Sequence, residues 1–361
     1  MAVRKTRYGY YLFSVYVTDN LGNRKRMQQQ SPDWTSRSKA TAAEAEFLRS
    51  LSAKNPIEFS ELANQYIDYK RMTVKHSSWY DIQSVYDRHI APTFAKMKMS
   101  KITSAHIIAW QKSLLDASYR GNFYSNAQLS KIQKYLKAMF SWADQHDMIE
   151  KNPTKAMRTV KREEIKKDEQ VLINPDEFKQ FIEVVDNPVY KTLYNVLYYC
   201  GLRLGEAMAL TFKDIDLKNT SVKITKTYNF KFREVTSPKT KNSTRIVEMT
   251  DIVVSHLKEL YKYYENSYEF DLDCPVFGVM SYRTMTRRLD EWIELSEVKR
   301  FGHHDLRHSC VSLLANAGFN DFQAAKRMGH DVRMFNEVYG HLFPNSQKDM
   351  AKAMDNIAKN K

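Results

Sequence analysis

Cysteines are few in this sequence, and they form no grouping that signals a disulfide framework. Among 361 residues there are three, Cys200, Cys274 and Cys310, with no Cys-x-x-Cys pair. Long apolar runs are missing too, since no stretch approaches the roughly 20 apolar residues that a membrane-spanning helix needs. The basic N-terminus lacks the apolar core of a secretory signal. These absences predict free thiols in a reducing cytoplasm and no membrane association.

The sequence also lacks the usual signatures of a bound cofactor. It contains no Walker P-loop and no cluster of carboxylates at metal-binding spacing. Histidines near the C-terminus would be compatible with zinc; they are His303, His304, His308, His330 and His341. No cysteine or acidic ligands accompany them at a known metal spacing. We therefore expect neither a metal nor an organic cofactor.

Positive charge is abundant. Lys and Arg total 56 against 42 Asp and Glu, which gives a formal net charge of +14. This excess favours a polyanionic partner, because neutralised phosphates release condensed counterions. Charge alone would fit a ribosomal or membrane-surface protein equally well. Hydrophobic residues make up 43% of the chain, so we expect folded domains with a sizeable core.

Residues 1–52 are predicted to form a basic β-ribbon followed by a short helix. Tyr8 to Thr18 is rich in aromatic and β-branched residues, and Thr41 and Glu44 have the spacing of a helix capping box. Basic residues outnumber the single acid of the ribbon; they are Arg4, Lys5, Arg7, Arg24, Lys25 and Arg26. Such a ribbon can enter a DNA groove. The alternative is a solvated hairpin that packs on the next domain.

Residues 56–155 are predicted to be helical, and residues 156–170 to be a charged, mobile interdomain linker. Apolar residues from Phe59 to Ile67 and from Ile132 to Phe140 recur at helical spacing. Two more helices are expected near 77–90 and 104–115, and Pro153 ends the block. By periodicity alone, an ordinary helical bundle would look the same.

Residues 171–345 are predicted to form a mixed domain, so the overall fold class is mainly α with small β-sheets (α+β). Asn174 and Pro175 have the pattern of a helix start. Val222 and Ile224 read as a strand, with residues 245–249 as a later partner strand. Residues 346–361 have apolar side chains at helical spacing, and this tail can dock in cis or on a neighbouring protomer.

Side chains suited to phosphodiester chemistry stand in the C-terminal half. The motif Gly-Leu-Arg-Leu-Gly-Glu occupies 201–206, His-Asp-Leu-Arg-His-Ser occupies 304–309, and Tyr339 stands nine residues after His330. Guanidinium forks match phosphate oxygens, histidines move protons near neutral pH, and tyrosine can serve as a covalent nucleophile. On a helix His304 and Arg307 share a face, which we expect to point outward from the core.

The order and spacing of these motifs resemble the tyrosine recombinases, the family of phage and conjugative-element integrases. The catalytic set that the resemblance implies is Arg203, Lys239, His304, Arg307, His330 and the nucleophile Tyr339. Glu206 is implied to steady Arg203. His308 is expected to be structural, holding the helix end or a neighbouring backbone carbonyl. Lys239 would be the general acid, with Lys241 as the alternative and Lys226 or Lys231 as more distant candidates.

The resemblance further implies an arm-binding module, a helical core-binding domain and a catalytic domain that act on double-stranded DNA. Strand exchange would pass through a 3′-phosphotyrosine in a homotetramer on paired sites, with DNA-bending or excision-directing helper proteins, on the nucleoid of a bacterial host cell. The alternatives are a resolvase of chromosome dimers, a type IB topoisomerase, and a DNA-binding regulator that has lost catalysis. The basic N-terminal module favours the integrase.

Overall fold

The computed structural model describes residues 2–18, 24–53, 57–119, 121–163, 170–238, 241–266 and 270–343, with 351, 352, 354, 356 and 358. It is mainly helical with small antiparallel sheets, so the predicted fold class is confirmed. The chain divides into two compact units, Met1–Lys166 and Lys167–Lys361. The finer division into an arm module, a core-binding domain, a catalytic domain and a tail stays a prediction.

The first unit begins with a three-stranded antiparallel sheet and a helix. These elements are β1 (Ala2–Lys5), β2 (Tyr11–Thr18), β3 (Arg24–Gln30) and α1 (Arg37–Ala53). Phe13, Val15 and Phe47 form a small core between sheet and helix. The predicted capping box at Thr41 is wrong: α1 begins earlier, and the Thr41 hydroxyl donates to the carbonyl oxygen of Arg37 inside the helix.

The rest of the first unit is a helical bundle, as predicted. Its helices are α2 (Phe59–Thr73), α3 (His76–Val85), α4 (Ala91–Phe94), α5 (Ser104–Asp116) and α6 (Asn126–Gln145), with a π-helical turn at Tyr86–Ile90. A hairpin of two short strands, β4 (Ser118–Tyr119) and β5 (Asn122–Phe123), joins α5 to α6. Aromatic and aliphatic side chains such as Phe59, Leu136 and Phe140 fill one core, because each helix repeats them on one face.

The predicted mobile linker is wrong over most of its described length. Residues 158–162, here called the strap, hydrogen-bond to side-chain amides of the bundle. Gln133 exchanges two bonds of 2.9 Å with the backbone of Val160, and Asn126 makes the same reciprocal pair with Arg162 at 3.0 and 2.8 Å. Gln111 donates to the carbonyl oxygen of Arg158 at 2.8 Å. The Arg162 guanidinium adds further hydrogen bonds, to the carbonyl oxygens of Tyr124 at 3.1 Å, Leu115 and Ala117.

Among the described residues between 170 and 343, the second unit contains eight α-helices. They are α7 (Pro175–Val184), α8 (Pro188–Asn195), α9 (Leu204–Met208), α10 (Asp251–Glu265), α11 (Tyr282–Ser296), α12 (His303–Asn316), α13 (Asp321–Met328) and α14 (Val332–Tyr339). A π-helical turn, Val196–Cys200, continues α8. The predicted start of α7 is confirmed, since the Asn174 side chain caps the helix and Pro175 is its first residue.

Two small sheets accompany these helices. Strands β6 (Ile215–Asp216), β7 (Ser221–Ile224) and β10 (Arg245–Glu248) form one sheet, and β8 (Thr227–Asn229) pairs with β9 (Glu234–Thr236). The predicted pairing of β7 with the strand that begins at Arg245 is confirmed. The hairpin β8–β9 was not predicted. It packs on α9, where a Cβ on Gly205 would lie 2.7 Å from the carbonyl oxygen of Tyr228, so this position requires glycine.

Most of the tail falls outside the described residues, and the choice between cis and trans docking stays open. Five of its residues, 351, 352, 354, 356 and 358, are helical. Within the described part of the chain, no helix has the length and apolar character needed to cross a bilayer.

Candidate active site

Arg203 stands at the sharp junction between the π-helical turn and α9. Gly201 ends the turn with a left-handed φ of 65°, and a Cβ there would lie 2.6 Å from the Met328 sulfur. Arg203 is the N-cap of α9, and its backbone N–H donates to Glu206 Oε2 at 3.0 Å while its Nη1 donates to Oε1 at 2.8 Å. The Arg203 side chain keeps 34% of its surface exposed. The structure thus places the Arg203 guanidinium partly at the surface, held by Glu206.

The Glu206 carboxylate joins three guanidinium groups. Besides Arg203, it accepts hydrogen bonds from Nη1 and Nη2 of Arg245 at 3.2 and 2.9 Å. Arg307 Nη1 stands 3.9 Å from Oε2. Burial alone would raise the pKa of the Glu206 carboxyl, but the hydrogen bond and charge of Arg245, followed by the charges of Arg307 and Arg203, lower that pKa to about 2. Glu206 is therefore ionised at neutral pH.

Arg307 does not point outward, so that prediction is wrong. Its side chain is fully buried, because the π-helical turn and α13 both pack against α12. Nη1 donates to the carbonyl oxygen of Gly201 and Nη2 to that of Met328, both at 2.5 Å, and Nη2 also lies 3.0 Å from His330 Nε2. Burial, followed by the charge of Arg203, lowers the pKa of Arg307 to about 9. It remains a cation at neutral pH.

Tyr339 is buried at the end of α14, with 1% of its surface exposed. Its hydroxyl lies 2.7 Å from Nδ1 of His308, and its ring stacks on His330 with centroids 6.1 Å apart. His304 is exposed, and its ring is 4.6 Å from that of His308. The predicted role of His308 is therefore corrected: it contacts the tyrosine hydroxyl, and not a helix end or backbone carbonyl, because Tyr339 at the end of α14 packs against α12.

Burial, with the nearby cations as a second cause, keeps the histidines of this cluster neutral. Partial burial, and then the charges of Arg307 and Arg203, lower the pKa of His330 to about 3. Although His304 is partly exposed, desolvation of its ring by the surrounding protein, followed by the charges of His308, Arg307 and Arg203, lowers the pKa of His304 to about 4. Burial also raises the pKa of Tyr339, although Arg307 and Arg203 oppose that change. At neutral pH the cluster holds neutral imidazoles and a protonated phenol beside two cations.

The predicted general acid, Lys239, lies outside the described residues. Lys241 begins a short helical turn at Lys241–Ser243. Lys226 forms an ion pair of 2.9 Å with Asp214, and Lys231 lies over the ring of Phe232. The assignment of Lys239 over the other lysines thus stays a prediction.

The basic residues of the N-terminal sheet lie on its strands and first turn. Arg26 on β3 stands opposite Tyr16 on β2, and its Nη2 donates to Ser14 Oγ at 3.0 Å. Tyr16 is 62% exposed. Arg4 and Lys5 lie on β1, Arg7 follows it, and Arg24 and Lys25 begin β3. Arg4 and Arg26 therefore lie on the same face of the sheet as Tyr16, opposite the buried Phe13 and Val15, whereas Lys5 and Lys25 alternate to the other face.

Residues 172–346 match the phage integrase family, and residues 58–115 match the family described as phage integrase, N-terminal SAM-like domain. The ICEBs1 integrase of Bacillus subtilis (strain 168) is 27% identical over 376 aligned residues, which cover 99% of this chain and 100% of that protein. The chain belongs to the phage integrase family of tyrosine recombinases. This recombinase is site-specific, of the kind that integrates or excises mobile DNA elements.

Further similarities agree with this membership. The integrase of Staphylococcus phage L54a is 25% identical over 252 residues, and the alignment covers 62% of this chain and 71% of that protein. The integrase of transposon Tn1549, in complex with transposon right end DNA, has a TM-score of 0.67 at 22% identity and covers 84% of this chain and 100% of that one. A lambda integrase tetramer bound to a Holliday junction has a TM-score of 0.59 at 16% identity, with 91% and 95% covered. The two structures show the same fold.

The sequence interpretation missed Arg245 and Arg327 of the recombinase. Arg245 bonds Glu206, and Arg327 Nη2 donates to the carbonyl oxygens of Tyr199 and Glu248 at 3.1 and 2.9 Å. One signal was available for Arg245: it shares a strand face with buried Val247, because side chains at i and i+2 point the same way. For Arg327, on a short helix with mixed polarity, the sequence offered no comparable signal.

The zinc alternative gains no support from the recombinase structure. Among the side chains that the structure describes, no group of three or more histidine, cysteine, aspartate or glutamate residues is arranged to hold a metal ion. The histidines instead contact Tyr339, Arg307 and one another. A reaction without metal stays a prediction.

Proposed function

We propose that this recombinase cuts and rejoins duplex DNA through a 3′-phosphotyrosine formed by Tyr339. One observation carries the proposal: the Tyr339 hydroxyl bonds His308, while the ring of His330, which bonds Arg307, stacks on the same tyrosine. A phenol beside cations and neutral imidazoles has the groups that attack on a phosphodiester requires.

In the proposed step, the Tyr339 oxygen bonds to phosphorus as the bond from phosphorus to the 5′ oxygen breaks. In the tautomer that leaves His308 Nδ1 unprotonated, this atom accepts the phenolic proton, since it lies 2.7 Å from the hydroxyl. Lys239 gives a proton to the leaving 5′ oxygen. Attack by the 5′-hydroxyl of a second strand reverses these bond changes, so the joining step consumes no nucleotide.

The remaining groups stabilise the charge that develops on phosphate. Arg203 is exposed enough to bind a non-bridging oxygen directly. His304, exposed beside His308, is placed to hydrogen-bond another oxygen. Arg307 and His330 lie deeper and act on the transition state through their charge and dipole. Removing one such donor commonly lowers a rate roughly 10²- to 10³-fold.

We infer that the recombinase binds core DNA sites through its second unit and the helical bundle, and arm sites through its N-terminal sheet. The exposed Tyr16 and Arg26 side chains support the second part of this inference. Exchange of two strands between two duplexes requires four active sites, which supports a homotetramer on paired sites. DNA-bending or excision-directing helper proteins belong to the same proposal.

Covalent capture on a nicked suicide substrate tests the nucleophile. Tyr339→Phe is expected to form no protein–DNA adduct while it binds duplex DNA nearly as well as the wild type, because one hydroxyl is removed from a buried ring. The matched control is Tyr263→Phe, which alters an exposed tyrosine of the same unit and should form the adduct normally. Adduct formation by Tyr339→Phe would refute the assignment.

A second assay separates a recombinase from a topoisomerase of related chemistry. Two duplexes with differently marked sites are incubated with the protein, and exchange of the markers is measured. We expect recombinant products that disappear with Tyr339→Phe. Relaxation of supercoils without any recombinant product would contradict the proposed function.

A further inference from the structure

Arg245, the first residue of β10, is a buried arginine whose side chain is only 6% exposed. Its Nε donates to the carbonyl oxygen of Arg327 at 2.8 Å, and Nη1 donates to that of Ser243 at 3.1 Å. Nη1 and Nη2 also bond the two oxygens of Glu206. All three nitrogens of the guanidinium group therefore have protein acceptors, so Arg245 does not reach the DNA.

Arg245 and Arg203 together occupy the Glu206 carboxylate. An ionised carboxylate offers about four lone-pair sites. Arg203 supplies two donors, its backbone N–H and Nη1, and Arg245 supplies the other two. Arg307 stays 3.9 Å from the nearer oxygen and donates instead to two backbone carbonyls. Arg245 thus takes the positions through which Glu206 would otherwise pair with Arg307.

The other side of Arg245 holds the turn that leads to His330. Gly329 has a left-handed φ of 66°, and a Cβ there would lie 3.0 Å from Arg245 Cδ and 2.8 Å from the carbonyl oxygen of Asn242. The Nε bond to the Arg327 carbonyl lies in the same place. The start of β10 and the turn before His330 are therefore in direct contact through the Arg245 side chain.

We propose that Arg245 is a positioning residue for DNA strand cleavage. It sets the spacing of Arg203, Arg307 and His330 in two ways: it fills half of the hydrogen-bonding capacity of the Glu206 carboxylate, and it anchors the turn at 327–329. This inference rests on the proposed function. Without Arg245, the buried Glu206 carboxylate keeps two lone pairs without donors and attracts Arg307. The charge of Arg307 is then neutralised by Glu206 and no longer stabilises the phosphate. Misplacement of catalytic groups by about 1 Å can cost 10²-fold in rate.

Single-turnover cleavage at saturating DNA tests the proposal with Arg245→Lys and Arg245→Met. A lysine keeps the charge, but one ammonium does not span both carboxylate oxygens and the Arg327 carbonyl. We therefore expect both variants to cleave roughly 10²-fold more slowly, with DNA affinity and circular dichroism close to those of the wild type. If Arg245→Met does not fold, Arg245→Lys carries the test. Cleavage at the wild-type rate by either folded variant would overturn the proposal.

A double-mutant comparison distinguishes positioning from general loosening of the structure. Because Arg245 acts in part through Glu206, the pair Glu206→Gln with Arg245→Lys should be slowed by less than the product of the two single effects. The matched control is Arg327→Lys, since Arg327 anchors the same region but does not contact Glu206. We expect the double variant Glu206→Gln with Arg327→Lys to be slowed by the product of the two single effects. Multiplying effects for the Arg245 pair, or non-multiplying effects for the Arg327 pair, would contradict the inference.

The same assay keeps this inference separate from the proposed function. Wild-type protein is run beside Tyr339→Phe in every experiment. If the wild type forms an adduct, Tyr339→Phe does not, and the Arg245 variants equal the wild type, then the positioning role alone is refuted. If the wild type forms no adduct, or Tyr339→Phe forms one, the proposed function fails and the inference fails with it.

Discussion

At the scale of single residues, the proposed nucleophile is buried. Tyr339 is 1% exposed, its hydroxyl bonds His308, and burial raises its pKa. A neutral, buried phenol is a weak nucleophile. We therefore expect reactivity to depend on the arrival of a phosphate, whose oxygens compete for the histidines and arginines around the ring.

The contact between His308 and Tyr339 can be measured as a coupling free energy. We expect His308→Ala to lower the free energy of unfolding by roughly 1–3 kcal/mol, because it leaves a buried hydroxyl without its partner. In the Tyr339→Phe background we expect the loss of unfolding free energy caused by His308→Ala to be smaller by about 0.5–1.5 kcal/mol. Denaturant unfolding of the four proteins gives these values. Equal costs in both backgrounds would mean that the hydrogen bond contributes nothing.

At the scale of elements, the strap shows how polar side chains hold an extended segment. Gln133 is 1% exposed, and it bonds the backbone of both Leu129 and Val160. The side-chain amide of Gln133 therefore offers Val160 one donor and one acceptor, as the backbone of a neighbouring strand would. The described residues between the bundle and position 163 belong to the first unit, so any flexible connection starts later than the sequence suggested.

Hydrogen exchange tests the strap. Gln133→Ala should speed exchange of the Val160 amide by roughly 10-fold or more, because the acceptor Oε1 is lost. The Arg162 amide, held by Asn126, should change less. Gln128→Ala is the matched control, since Gln128 lies on the same helix and caps its start without touching the strap. Unchanged Val160 exchange in Gln133→Ala would show that the strap is held by other contacts.

At the scale of the whole molecule, the second unit is expected to be sensitive to acid. His303 is buried, and burial lowers its pKa to about 4. Below the unfolded pKa of about 6.5 the unfolded chain binds a proton that the folded protein excludes, so stability falls as pH decreases from about 6.5 to 4. From pH 7.5 to 5 this histidine alone should cost roughly 2 kcal/mol.

Thermal or denaturant unfolding at both pH values tests this expectation. His303→Asn should show a smaller loss of stability on acidification than the wild type, whereas His341→Asn, a change at an exposed site, should show the same loss as the wild type. If His303→Asn and the wild type lose equal stability, the acid sensitivity has another source.

The basic N-terminal sheet is expected to add DNA affinity without taking part in cleavage. Charge reversal of Arg24, Lys25 and Arg26 to Glu should weaken binding to distal arm sites and leave core cleavage largely intact. Because three phosphate contacts are removed, the slope of log affinity against log salt should become shallower by about 3. Loss of core cleavage in this variant would contradict the proposed separation of roles between the N-terminal sheet and the rest of the protein.

Much of the fold and of the candidate site was readable from local pattern. The cap at Asn174 and the pairing of β7 with β10 follow from residue type and periodicity. The hairpin β8–β9 was missed because each strand has only three residues and the turn between them carries Lys231 and Arg233, so the segment resembles a solvated loop. The strap was missed because a charged segment with no apolar stripe offers no sign of burial.

The sequence by itself determined which residues are chemically suited to the reaction, because the spacing of Arg203, Arg307 and Tyr339 within their motifs is a property of neighbours along the chain. Only the tertiary structure decided how each one is held. Arg307 meets the carbonyl of a residue 106 positions away, and Arg245 meets Glu206 across 39. Burial and hydrogen-bond partners depend on such distant contacts, and no local pattern specifies them.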